Sequence, residues 1–191
     1  KLNETNENER EEGMNPFTLI NRTLVLAIAL VGIGMLSSGC VAKHVQAWGE
    51  VDQAVAVLHP TEGNTAQGVV HFYQLQEDVK IVVHSTGLKP GSTHAIHVHE
   101  YGDATADDAT SAGGHYNPAG HKHGLPYDKQ RHAGDLGNLT ADANGEARFE
   151  RTVDNLSVAE MTHSVIGRAV IIHAGKDKGV QPTGDAGPRI A

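Results

Sequence analysis

The sequence predicts an all-β domain, an antiparallel sandwich or barrel, on three observations. Short apolar or alternating runs recur between turns rich in Gly, Pro and Asn, and no segment holds a helical period. Aromatic residues make up only 4% of the 191, so the core has to come from Val, Ile, Leu and Ala. The 22 glycines fit a chain of many tight turns.

The first run is 54–58, Ala-Val-Ala-Val-Leu, which ends at His59-Pro60 and the turn Glu62-Gly63-Asn64. The second and third, 68–73 and 79–84, precede the stop Gly87-Leu88-Lys89-Pro90-Gly91. The fourth covers 93–99. A long histidine-rich loop separates it from 134–139, which ends at the turn Asp142-Ala143-Asn144-Gly145. Runs at 147–153 and 165–173 complete the set. Alternation in the fourth run turns Ile96 and Val98 to the core and points His97 and His99 together away from it. His173 closes the last run and could bring a third imidazole from across the sheet.

Charge and cysteine content exclude several functions. The formal net charge of -8 is the wrong sign for a nucleic-acid partner. The single cysteine, Cys40, excludes a disulfide within this chain and a cysteine-only zinc site.

The front of the chain reads as an address. Residues 1–13 are polar and acidic, as in a disordered start or one assigned too early, and Met14 is the better initiator. Arg22, the apolar run 24–36 and Ser37-Ser38-Gly39 follow the order of an export signal. That run is shorter than the roughly 20 residues a membrane span needs. The expected organisation is a leader over 1–39, a tether over 40–52 and one domain over 53–191. Small residues directly before a lone cysteine resemble a bacterial lipoprotein signal. The resemblance implies a lipidated Cys40 as mature N-terminus and attachment to a membrane through it. Simple secretory cleavage is the alternative, and either outcome exports the chain to the periplasm or cell envelope.

The stretch from His94 to Asp135 carries the chemistry. Histidines recur there among glycines, and an aspartate closes the run. Neutral imidazole is the commonest side-chain metal ligand, and several imidazoles with one carboxylate suit zinc or copper better than calcium or magnesium.

The ordered motifs are His97-x-His99-Glu100-x-Gly102-Asp103, Ser111-Ala112-Gly113-Gly114-His115-x-Asn117-Pro118, His123-Gly124, His132-x-Gly134-Asp135-Leu136-Gly137-Asn138, and Gly167-Arg168 before His173. From about Ala54 onward the chain resembles copper/zinc superoxide dismutase. The resemblance implies a Greek-key, immunoglobulin-like β-sandwich with long metal-binding and electrostatic loops. It implies copper on His97, His99, His115 and His173, and zinc on His115, His123, His132 and Asp135, with His115 bridging the two. Asp177 would orient His97 and His123, and Arg189 would attract and orient superoxide. The implied reaction turns superoxide into dioxygen and hydrogen peroxide by alternate reduction and reoxidation of copper, supported by zinc through His115.

Lys122, Lys176 and Lys178 are expected to gather with Arg189 near the channel, giving a rate that falls with ionic strength. Monomer and homodimer both remain open. The family's loop disulfide is missing, because alanine stands at the expected position, either Ala104 or Ala109. The chain stops at Ile190-Ala191, about where the partner cysteine and a final strand are expected. Glu100 and Asp103 read as loop-ordering residues, and Trp48, Tyr101 and Tyr116 as packing. His44, His59, His71, His84, His94, His121 and His163 are assigned no metal role. The competing reading is a non-catalytic copper- and zinc-binding exported lipoprotein.

Overall fold

The computed structural model describes residues 51–191; the leader, Cys40, Trp48 and nearly all of the tether lie outside the described residues. The strands are β1 (Gln53–Leu58), β2 (Gln67–Leu75), β3 (Asp78–Thr86), β4 (Thr93–His99), β5 (Asp135–Thr140), β6 (Ala147–Val153) and β7 (Ala169–Ile172). One 3-10 turn, η1 (Thr110–Ala112), interrupts the long loop after β4. The strands form two antiparallel sheets, ordered β1-β2-β3-β6 and β5-β4-β7. The chain crosses to the second sheet after β3, and β6 returns beside β3.

The two sheets close on one core. Val70, Phe72, Val79, Ile81 and Val83 from the first meet Ile96, Val98, Leu136, Leu139 and Ile172 from the second. The alternating burial of β3 shows the ordinary period of a strand with one wet face. Edge strand β1 keeps Val55 and Val57 largely exposed.

β4 departs from that alternation. Ile96 and Val98 do turn to the core, but His97 and His99 are equally buried on the opposite side. That side is roofed by the loops after β4 and β7. The backbone of His99 bridges to His115, and Asp177 lies against His97.

Two local features aim the site. A register shift between Ile96 and His97 sets Asp135 opposite His97, as a β-bulge re-aims a side chain. Gly134 then lets three segments close up. Val98 N–H donates to Gly134 O at 2.9 Å, Tyr116 N–H to Val98 O at 2.8 Å, and Gly134 N–H to Tyr116 O at 2.9 Å. A Cβ on Gly134 would meet Val98 O at 2.1 Å, so only glycine fits.

The last strand is shorter than the sequence predicts. β7 begins at Ala169 rather than 165, because Gly167 at φ 78 and the Arg168 N–H bond to Val165 O at 3.1 Å turn the chain. Beyond β7 the chain returns and pairs with it. Ile172 N–H donates to Ala191 O, and Ile190 N–H to Ile172 O, both at 2.8 Å.

Candidate metal centre

Among the described residues, two groups of buried side chains could each hold a metal ion. One is His97, His99, His115 and His173; the other is His115, His123, His132 and Asp135. Within each group one donor atom per residue lies within 4.8 Å of all the others, and His115 belongs to both. β4 supplies His97 and His99, the end of β7 supplies His173, the start of β5 supplies Asp135, and the long loop supplies the rest.

In three rings of the first group the outer nitrogen is already bonded. His97 Nε2 lies 2.9 Å from Asp177 Oδ2, His99 Nδ1 3.0 Å from Gly113 O, and His173 Nδ1 3.1 Å from Gly187 O. The other nitrogens, His97 Nδ1, His99 Nε2 and His173 Nε2, are buried with no hydrogen-bond partner. Orphaned buried polar atoms are rare and costly. Three that converge in one group fit a copper ion that accepts imidazole donors.

The second group is organised around Asp135. Its Oδ2 accepts from Gly124 N–H at 3.0 Å and from His132 N–H at 2.9 Å. Its Oδ1 faces three rings: His115 Nδ1 and His123 Nδ1 at 3.0 Å, and His132 Nδ1 at 3.3 Å. Three ring nitrogens thus crowd onto one carboxylate oxygen, more than hydrogen bonding alone accounts for, since His123 Nδ1 is poorly aligned with Oδ1. Three imidazoles and a carboxylate match tetrahedral zinc. His115 Nδ1 belongs to this group, which leaves its Nε2 for the first group.

Asp177 links the groups from behind. Its Oδ2 meets His97, and its Oδ1 meets His123 Nε2 at 2.9 Å. Asn138 holds its backbone on both sides, with Asn138 Nδ2 donating to Asp177 O at 3.0 Å and Asp177 N–H to Asn138 Oδ1 at 2.7 Å. Gly184, at φ 82, leaves the space this needs: a Cβ there would fall 2.3 Å from Asp177 Oδ1.

The charge states follow the geometry. Burial drives His97 and His173 down to about 4 and His99 to about 2, so all three rings are neutral at pH 7 and free to ligate. Burial also opposes a charge on His123, but bonds and charge from Asp135 and Asp177 outweigh it and push that ring up to about 9. Burial works against the charged form of Asp135 and Asp177 as well. The close imidazoles of His115 and His123 beside Asp135, and of His123 and His97 beside Asp177, prevail and hold both well below the usual carboxylate range.

A cavity of about 320 Å³ opens against the copper-side group, lined by His99, His115, His173, Arg189 and Asp108 among others. Arg189 donates through Nη1 to Ala109 O and through Nη2 to Gly113 O at 2.6 Å, so the guanidinium is fixed. The lysines expected there do not line it. Lys122, Lys176 and Lys178 are exposed, and Lys178 pairs with Asp185 at 2.6 Å. Charge on long, solvated side chains stays in water, which accounts for the difference.

Other residues sort as follows. Glu100 Oε2 accepts from Gly114 N–H at 3.0 Å, and Asp103 Oδ1 from Thr105 N–H at 2.8 Å, so both order the loop. Tyr116 is buried beneath Arg168, whose guanidinium carbon is 4.2 Å from the ring centre. Tyr101 is exposed. His121 belongs to neither group and sits 3.2 Å from Arg131 O. His94 has a role the sequence reading missed. It is buried, with Nδ1 2.8 Å from His173 O and Nε2 2.6 Å from Ser92 Oγ, so it props the backbone of a copper-side residue.

The family described as copper/zinc superoxide dismutase matches residues 66–191. A superoxide dismutase (Cu-Zn) of Paramecium bursaria Chlorella virus 1 is 40% identical over 180 residues, covering 91% of this chain and 89% of its own. An extracellular superoxide dismutase (Cu-Zn) of Brugia pahangi is 41% identical over 148 residues, 72% of each chain. The copper chaperone for superoxide dismutase of Homo sapiens is 44% identical over 147 residues, 72% of this chain and 50% of its own.

Proposed function

The chain belongs to the copper/zinc superoxide dismutase family, and from that premise we propose how its own residues turn superoxide into dioxygen and hydrogen peroxide. His97, His99, His115 and His173 would hold copper, and His115, His123, His132 and Asp135 would hold zinc. Bound copper supplies one-electron redox chemistry, and zinc supplies a fixed positive charge with none. Arg189, pinned by two backbone carbonyls, would hold the superoxide anion in the cavity beside His99 and His115. The Nε2 of His115 would carry one of the two protons that hydrogen peroxide needs, with solvent water supplying the other, while Asp135 secures the other ring nitrogen. Asp177 would keep His97 and His123 in their ligating orientations.

The observation that carries this reading is the set of three orphaned ring nitrogens beside a cavity that contains a fixed arginine. A store for copper and zinc would need the ligands but no fixed anion-binding guanidinium. The test is superoxide decay in the presence of the full chain loaded with both metals. Catalysed decay is expected, with Arg189→Ala slowing it by about ten- to a thousandfold at unchanged metal content. Full loading without decay would favour the non-catalytic metal-binding reading, toward which the copper chaperone's name also points.

We also propose that the chain is exported to the bacterial periplasm or cell envelope with Cys40 lipidated. The order of Arg22, apolar residues 24–36 and Ser37-Ser38-Gly39 before that cysteine supports this. Mass spectrometry of the mature protein should find it beginning at an acylated Cys40. A mature chain that keeps residues 24–36 would contradict it.

A further inference from the structure

The cavity proposed for superoxide contains a carboxylate, and the proposed function does not use it. Among its lining residues, Arg189 is the one permanent cation and Asp108 the one carboxylate. A negative charge at the entrance to an anion site opposes entry, so its presence calls for a reason. The side chain is held in place: Asp108 Oδ1 accepts from Thr110 N–H at 2.9 Å and from Thr110 Oγ1–H at 2.7 Å. The next residue, Ala109, adopts the left-handed conformation at φ 58, unusual for a residue with a Cβ. That turn presents Ala109 O to Arg189 and leaves the preceding Asp108 on the cavity wall. The bonds from Thr110 also keep the Asp108 carboxyl below the usual carboxylate range, so it is ionised at neutral pH. Its charge and that of Arg189 act on one another.

We infer that Asp108 is a specificity-determining residue, a fixed negative charge sharing the cavity wall with Arg189 that admits a small monoanion and disfavours dianions. The inference rests on the proposed superoxide site and adds its selectivity. Coulomb repulsion scales with the charge of the ligand. A unit charge several ångströms away across water changes a monoanion's affinity by about threefold, and a dianion's by the square of that, about tenfold. The attraction of Arg189 scales the same way and favours dianions, so Asp108 offsets that preference and shifts the ratio between the two classes by about threefold.

The test uses the full chain loaded with copper and zinc and two probes, azide as monoanion and sulfate as dianion. Azide is followed by its absorption band with Cu(II), and sulfate by its competition with azide. These readouts require no superoxide turnover, so a failure of the proposed activity and a failure of the filter are distinguishable. Asp108→Asn removes the charge and keeps the oxygen that accepts from Thr110. Asp107→Asn changes the net charge equally, but Asp107 lines the neighbouring cavity with Thr61 and Glu62 instead. Asp108→Asn should tighten azide about threefold and sulfate about tenfold, and Asp107→Asn should shift either by less than about twofold. Equal tightening of the two anions, equal shifts in the two variants, or no shift in Asp108→Asn would overturn the inference.

Discussion

Asp177 orients two rings with one carboxylate, each oxygen 2.9 Å from a different imidazole. Asp177→Asn replaces one of those acceptors with a donor. Zinc and copper affinity, read by competition with a chelator, should fall by about ten- to a hundredfold, and unchanged affinity would remove Asp177 from the site. His94 makes the parallel case for copper alone. His94→Ala leaves His173 O without its partner and should cost about 1–3 kcal/mol of stability, measured by denaturant unfolding. At this scale the ligands were legible because imidazoles and one carboxylate recur in order among glycines. His94 was not, although its parity in β4 matches Ile96 and Val98 rather than His97 and His99. Parity excludes it from the ligand side, but only the fold reveals that a neighbouring carbonyl waits there. Gly184 carries no sequence signal of its role against Asp177.

β4 is the element on which the centre is built, and Gly134 joins it to two others. Gly134→Ala would drive a methyl into Val98 O, to which Tyr116 also donates. A loss of more than about 2 kcal/mol is expected in thermal or denaturant unfolding, because neither strand can yield without breaking the trio of backbone bonds. A change within about 0.5 kcal/mol would show that the close approach is not needed. Strand positions were readable because turn residues bracket them, and 147–153 and 93–99 match the observed β6 and β4. The roofing of His97 and His99 was not readable. Alternation gives the side a residue faces, while what covers that side comes from contacts up to 80 positions away, as between His97 and Asp177. β7 started late for a local reason, the turn at Gly167.

The whole molecule stores opposing charge preferences in its metal-free centre. His97, His99 and His173 titrate well below 6.5 when folded, so below that pH the unfolded chain binds more protons. Stability therefore rises as pH climbs from about 4 to 6.5. The depressed carboxyls of Asp135 and Asp177 act in the same direction, since their contribution is present above the ordinary aspartate value of 3.8 and lost as pH falls. His123, raised to about 9, contributes below 6.5 and loses that contribution as pH climbs to about 9. The melting temperature of metal-free protein should peak near pH 6.5 and fall on both sides. A melting temperature that keeps rising to pH 9 would contradict the buried charge arrangement. The net charge of -8 gives no guide to any of this, because anion entry is set locally by Arg189 and Asp108.

His115, as proposed, makes the two groups one centre. Its ring lies 4.0 Å from that of His97 and 5.5 Å from that of His132, centre to centre. Electron paramagnetic resonance of Cu(II) in the loaded full chain, before and after selective removal of zinc, tests it most directly. The copper spectrum should change when zinc leaves, and in His115→Ala it should no longer respond to zinc. A wild-type spectrum indifferent to zinc would contradict the shared ligand.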